Sequence, residues 1–132
     1  MPLMSVTIQP VLAEVDALAP RLTAAAQPYL TQDRLVAFEI AVVEALSNVI
    51  RHAGLRPDQP VGVNMQGSAN GMEVTITDDG PPPPGDLFTR PQPDDPMAES
   101  GRGIGLILMC ANGVEARREN GRNSLTLRFA AG

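Results

Sequence analysis

Val42-Val43-Glu44-Ala45-Leu46-Ser47-Asn48-Val49-Ile50-Arg51-His52 lies inside a helical pattern that begins near Thr31. At 100° per residue, Glu44, Asn48 and His52 fall on one side, with Arg51 beside them and the small Ala37 and Ala41 above. Leu35, Val42, Leu46 and Val49 form the opposite ridge. A helix that is apolar nearly all round belongs in a core, so its few polar groups must face either a hydrogen-bonded interior or a ligand. Thr31 supplies an N-cap, Asp33 an acidic first turn, and Gly54 a stop ahead of Pro57.

On the N-terminal side, Met4, Val6 and Ile8 alternate with polar residues, which reads as a short strand ended by Pro10. Val11, Leu12, Val15, Leu18, Ala19 and Leu22 then keep helical spacing, with Pro20 expected to kink or divide that helix and Pro28 to close it. On the C-terminal side, Val61, Val63 and Met65 lead into a turn over Gly67 to Gly71, and a second strand runs from Met72 to Asp78. The two are expected to form an antiparallel hairpin. Met72, Val74, Ile76 and Asp78 share one face by the two-residue period, so an aspartate continues an apolar row to the rim of the core.

From Gly80 to about Gly103 the periodicity disappears into Pro81–Pro84, Pro91, Pro93, Pro96 and scattered acidic residues. A loop of that length inside a compact domain is usually a functional lid or disordered. Ile104 to Ala111 reads as a short helix. Val114–Glu119 and Ser124–Ala130 flank Asn120-Gly121, a primed-turn signal, with Leu125, Leu127 and Phe129 inward. These elements predict an α+β fold of two layers, a mostly antiparallel sheet covered on one face by about three helices, in a single domain over residues 1–132.

Composition narrows the functions available. The net charge of −5 argues against unaided binding to nucleic acid or anionic lipid. All ten basic residues are arginines, which removes a phosphate-binding loop ending in Gly-Lys-Ser/Thr, the ordinary protein-kinase fold with its strand lysine, and Schiff-base chemistry. Cys110 has no partner for a disulfide, and one histidine cannot build a zinc cluster. With no apolar run long enough for a bilayer and no targeting segment at the N-terminus, the expected compartment is the cytoplasm.

Three separated pieces can carry chemistry: the Glu44, Asn48, His52 stripe, the strand end Asp78-Asp79-Gly80, and Gly101-Arg102-Gly103-Ile104-Gly105 opening a helix. Glycines let backbone approach an anion, and free N–H groups at a helix start favour phosphate. Taken alone, that run serves equally well as a hinge. An amide oxygen such as that of Asn48 can ligate Mg²⁺ alongside phosphate oxygens, while Glu44 one turn away can orient or deprotonate a hydroxyl. Both could equally cap neighbouring backbone. Asp78 points inward, where an unpaired carboxylate is costly, and a donor such as an exocyclic amino group would satisfy it.

In this order and separated by a lid-like loop, the three pieces resemble the Bergerat ATP-binding fold of the GHKL superfamily. The short length and the forms V-E-A-L-S-N-V-I-R-H-A, I-T-D-D-G-P-P and G-R-G-I-G-L-I-L-M are most similar to the anti-sigma-factor serine-protein kinases of bacterial partner-switching systems. The resemblance implies a histidine-kinase-like ATPase fold with an ATP lid at about 80–103. It makes Asn48 the Mg²⁺ ligand, Glu44 the catalytic base or orienting carboxylate, and Asp78 the acceptor for the adenine amino group, with Gly80 against the base. Gly101, Gly103 and Gly105, with Arg102 and Ile104 between them, then wrap the phosphates, and Arg51 and His52 lie where relatives carry phosphate-contacting or histidine residues.

The implied activity is ATP-dependent phosphorylation of a serine or threonine on a STAS-domain antagonist, by a homodimeric protein that also binds a sigma factor. In one place the sequence departs from the superfamily's Asp-x-Gly-x-Gly box: Pro82 replaces the second glycine, which removes a backbone donor and fixes φ. Two alternatives share the same site: a non-catalytic ATP-sensing module in partner switching, and a detached histidine-kinase ATPase domain.

Overall fold

The computed structural model describes residues 3–85, 87, 88 and 102–132, without the side chain of Arg102. Most of the proline-rich stretch expected as a lid, and Gly101 with it, lies outside the described residues. The elements run β1 Met4–Ile8, α1 Leu12–Ala26, a 3₁₀ turn Gln27–Tyr29, α2 Gln32–His52, β2 Val61–Ser68, β3 Gly71–Asp78, α3 Arg102–Cys110, β4 Gly113–Glu119 and β5 Arg122–Ala130. The strands form one five-stranded sheet in the order β1-β2-β3-β5-β4, with every neighbouring pair antiparallel.

Alternation along the strands decides which face is covered. Val61, Val63 and Met65 on β2, Met72, Val74 and Ile76 on β3, and Leu125, Leu127 and Phe129 on β5 are buried in one core with Val15, Leu18 and Leu22 of α1 and Phe38, Val42 and Leu46 of α2. Phe38 meets Phe129 edge to face, with ring centroids 5.2 Å apart, fixing α2 to β5. Residues of the alternate register, such as Thr75 and Thr126, face away from the helices and bond to each other through their hydroxyls at 3.1 Å.

The local signals behave as their chemistry requires. Thr31 accepts a hydrogen bond from the backbone N–H of Arg34 at the start of α2, and Gly54 follows the helix with φ of 65°. Asn120 and Gly121 take φ of 54° and 76°, the primed turn that matches the twist of a tight hairpin. Because such a turn occupies two residues, β5 starts at Arg122 rather than at Ser124.

Three expectations are corrected. Pro20 lies inside α1 without dividing it. Its ring is exposed, and Leu18, Ala19 and Leu22 on either side of it are buried, so packing holds the helix through the lost bond to the carbonyl of Asp16. Second, α2 is not enclosed all round: Val36 and Ile40 are 50% and 38% exposed, on a strip outside the part of α2 that α1, α3 and the sheet cover. Third, α3 begins two residues before Ile104, which places Gly103 and Gly105 within the helix.

Candidate functional site

The site is assembled on the C-terminal half of α2. Glu44 and Asn48, one turn apart, are half-buried, whereas Arg51 and His52 are exposed in the last turn, where positive charge complements the helix C-terminus. The predicted stripe therefore divides into a sheltered pair and an exposed basic end.

Glycine 103 brings the start of α3 against Glu44. A Cβ at position 103 would stand 2.9 Å from Oε2 of Glu44, so a side chain there would push that carboxylate aside from the first turn of α3. The opposite end of α3 is tied to α2 as well: the Arg34 guanidinium donates to the carbonyl of Cys110 at 2.8 Å and to Oδ1 of Asn112. A cation at the C-terminal carbonyls opposes the helix dipole and holds α3 antiparallel along α2. Ile104 turns its side chain into the core at 2% exposure, leaving its backbone as the part that can meet a ligand.

Glycine 80 brings the third piece to the same helix. A Cβ there would lie 2.9 Å from the carbonyl oxygen of Ala53, immediately after α2, and 3.0 Å from both Oδ1 of Asp78 and Cδ2 of Leu55. Asp78 is buried at 6% exposure, as the strand period requires. Its carboxylate is not without partners: Oδ1 accepts the Gly80 N–H at 2.9 Å and Nδ2 of Asn123 at 3.0 Å. Both bonds fall on one oxygen, and among the described residues Oδ2 receives no donor. Asp79 turns outward and pairs with Arg122 at 3.1 Å.

Asn123 and Arg118 were missed in the sequence. Asn123 is the cross-strand partner of Asp78, buried at 8% exposure, and the rule that found Asp78 also finds it: Asn123 continues the inward row Leu125, Leu127, Phe129. Its Nδ2 also donates to the carbonyls of Gly80 and Pro81 at 3.2 and 3.0 Å, and its Oδ1 accepts from Arg118 at 2.7 Å. The Arg118 guanidinium further donates to the Gly80 carbonyl at 3.0 Å. No pattern in the sequence marks Arg118, because its role depends on the hairpin folding back over the strand end.

Gly101 is outside the described residues, as is the side chain of Arg102. Gly103 thus faces Glu44, Gly80 abuts the end of α2, and Asp78 lies at the rim of the core between sheet and helices. Pieces separated by more than 20 residues in the sequence are brought to one helix, in an arrangement that offers a sheltered carboxylate and amide, a buried acceptor and a helix N-terminus.

Comparison with known proteins agrees with this architecture. No curated protein matches the sequence. A solved structure of the RsbU and RsbW domains of Rv1364c from Mycobacterium tuberculosis matches over 100% of this chain with a TM-score of 0.65 and 13% identity. This chain spans 33% of that one, and at such identity the likeness is one of fold. The family described as histidine kinase-like ATPase domain matches residues 8–129, which take in all three helices and, but for Ala130, strands β2 to β5. The chain belongs to the histidine kinase-like ATPase domain family.

Proposed function

We propose that this protein is an ATP-dependent serine/threonine protein kinase and anti-sigma regulatory factor, which binds a sigma factor and phosphorylates a STAS-domain antagonist. The observation that carries the reading is the convergence of sequence-distant pieces at α2: Gly103 at Glu44, Gly80 at the Ala53 carbonyl, and beside Gly80 the buried Asp78, whose Oδ2 receives no donor among the described residues. The family match supports ATP as the ligand, and the forms of the three motifs support the anti-sigma kinases within that family.

The residues fit the nucleotide chemically. The gap kept by Gly103 beside Glu44 is one a Cβ would fill, at the helix start that favours phosphate. Asn48 offers a neutral amide oxygen to Mg²⁺. Among the described residues no group of three or more His, Cys, Asp or Glu gathers, so a cation there would complete its shell with phosphate oxygens and water. ATP, when bound, supplies the phosphoryl group. Glu44 orients the accepting hydroxyl and takes its proton, Asp78 accepts the adenine amino group, Arg51 and Arg102 supply the positive charge that lysine provides elsewhere, and His52 lies beside Arg51 at the end of α2. Homodimerisation, a cytoplasmic location and a lid over about 80–103 belong to the same proposal.

One observation favours a non-catalytic, ATP-sensing module. Four consecutive prolines follow Gly80 and lack every N–H that a flexible phosphate-contacting turn would use. Incubation with Mg-ATP and the STAS protein encoded beside it separates the readings. We expect acid-stable phosphoserine or phosphothreonine, with Glu44→Ala lowering transfer at least about a hundredfold while ATP still binds. Binding without transfer to any cognate partner establishes the sensing module instead, and acid-labile phosphohistidine a histidine-kinase domain.

A further inference from the structure

The terminal hairpin closes over the end of β3 through donors alone. Pro81–Pro84 present carbonyls and no N–H, so this segment cannot continue the sheet and is held only by groups that donate to it. Among the described residues, Nδ2 of Asn123 donates to the Pro81 carbonyl and the Leu87 N–H to that of Pro84, while Arg118 joins Asn123 on the carbonyl of Gly80 just before them. Nδ2 of Asn123 shares its two hydrogens among three acceptors (Oδ1 of Asp78 and the carbonyls of Gly80 and Pro81) while its Oδ1 faces the Arg118 guanidinium, so only one orientation of the amide turns donors to acceptors on both sides. Arg118 carries no acceptor and locks the amide that way round.

We infer that Asn123, held by Arg118, is a positioning residue that makes Asp78 selective for a purine carrying an exocyclic amino group. The inference rests on the nucleotide reading given above. With Oδ1 occupied by the Gly80 N–H and by Asn123, the carboxylate cannot rotate without breaking two bonds, and Oδ2, which no described residue donates to, is turned to accept a donor from the base. A base with a hydrogen-bond acceptor at that position meets a carboxylate oxygen and is repelled. The same amide and guanidinium fix the Gly80 and Pro81 carbonyls, and so set where the base's edge can lie against the strand end. Selectivity here is carried by Asn123 on β5 and Arg118 on β4 rather than by the strand that bears the aspartate.

The test measures by calorimetry the affinities of Mg-ATP and of Mg-purine riboside triphosphate, which lacks the 6-amino group, for the wild-type protein, Asn123→Ala and Arg118→Leu. A hydrogen bond to a charged acceptor predicts that wild type prefers ATP about tenfold or more. Asn123→Ala is expected to weaken ATP about tenfold and the analogue less than about threefold, so that the preference collapses. Arg118 is exposed, so Arg118→Leu leaves the core intact and carries the test if Asn123→Ala shows no cooperative unfolding; its preference is expected to fall about threefold. Equal losses for both nucleotides, or an unchanged preference in the variant that folds, overturn the positioning role. A wild-type protein that binds neither nucleotide refutes the nucleotide reading itself, and one that binds both equally refutes the role of Asp78.

Discussion

Single atoms decide much of this site. Gly80 has no room for a methyl group: the clash would be with the backbone carbonyl of Ala53, with Asp78 and with Leu55 at once. Gly80→Ala is therefore expected to cost roughly 1–3 kcal/mol of stability by overpacking, and to weaken ATP binding as the strand end shifts. Urea unfolding with and without nucleotide reads both effects, and a variant as stable as wild type would show that the Ala53 carbonyl yields. Gly103 differs, because its neighbour is the mobile end of the Glu44 side chain rather than backbone. In the core, Phe38→Ala removes a fully buried ring that contacts Phe129 and is expected to cost about 3–5 kcal/mol. Asp78 could be placed from the sequence alone because strand periodicity is local. What holds it could not be deduced, since Gly80 is a chain neighbour whereas Asn123 is 45 residues away and becomes its neighbour only through the β3–β5 register.

At the scale of elements, α1 and the β4–β5 edge yield opposite predictions. Pro20 leaves the carbonyl of Asp16 without its helical donor while its ring faces solvent. Pro20→Ala is expected to raise stability by about 1–3 kcal/mol in denaturant unfolding, since it restores the bond and removes the ring's clash. No gain would mean that the helix bends enough to relieve both. On the sheet edge Glu115 accepts from Arg128 and from Arg117, and these two guanidinium groups hold its carboxyl below the usual carboxylate range. A carboxyl depressed in the folded state stabilises fully above its ordinary value of 4.5 and loses that contribution as pH falls through the lower folded value. Glu115→Gln should accordingly lower the thermal midpoint slightly near neutrality and match wild type in strong acid; an equal deficit at both ends would assign the effect to packing. The helices and hairpins were legible because caps and turns are written in a few adjacent residues: Thr31, Gly54 and Asn120-Gly121 each sit where the sequence puts them. The persistence of α1 through Pro20 was not legible, because burial on both sides of the proline outweighs one missing bond and burial is a property of the assembled layers.

For the whole molecule, ligand and fold are coupled. A ligand that binds only the folded state at about a hundred times its dissociation constant stabilises it by roughly 2.7 kcal/mol. Saturating Mg-ATP should therefore raise the unfolding midpoint, and Asp78→Asn should remove most of that increment. A full increment in the variant would exclude Asp78 as a base acceptor. The strand order β1-β2-β3-β5-β4 carries a further consequence. β5, which follows the other four strands in the sequence, occupies an interior position, between β3 and β4, so during synthesis β3 keeps an unpaired edge until β5 emerges from the ribosome. That edge is open to association with other chains throughout this interval, and it is closed by the same segment that delivers Asn123 to Asp78. A chain that has not yet made β5 thus has neither a completed sheet nor the Asn123 amide beside Asp78, so closing the sheet and assembling that end of the site are one event.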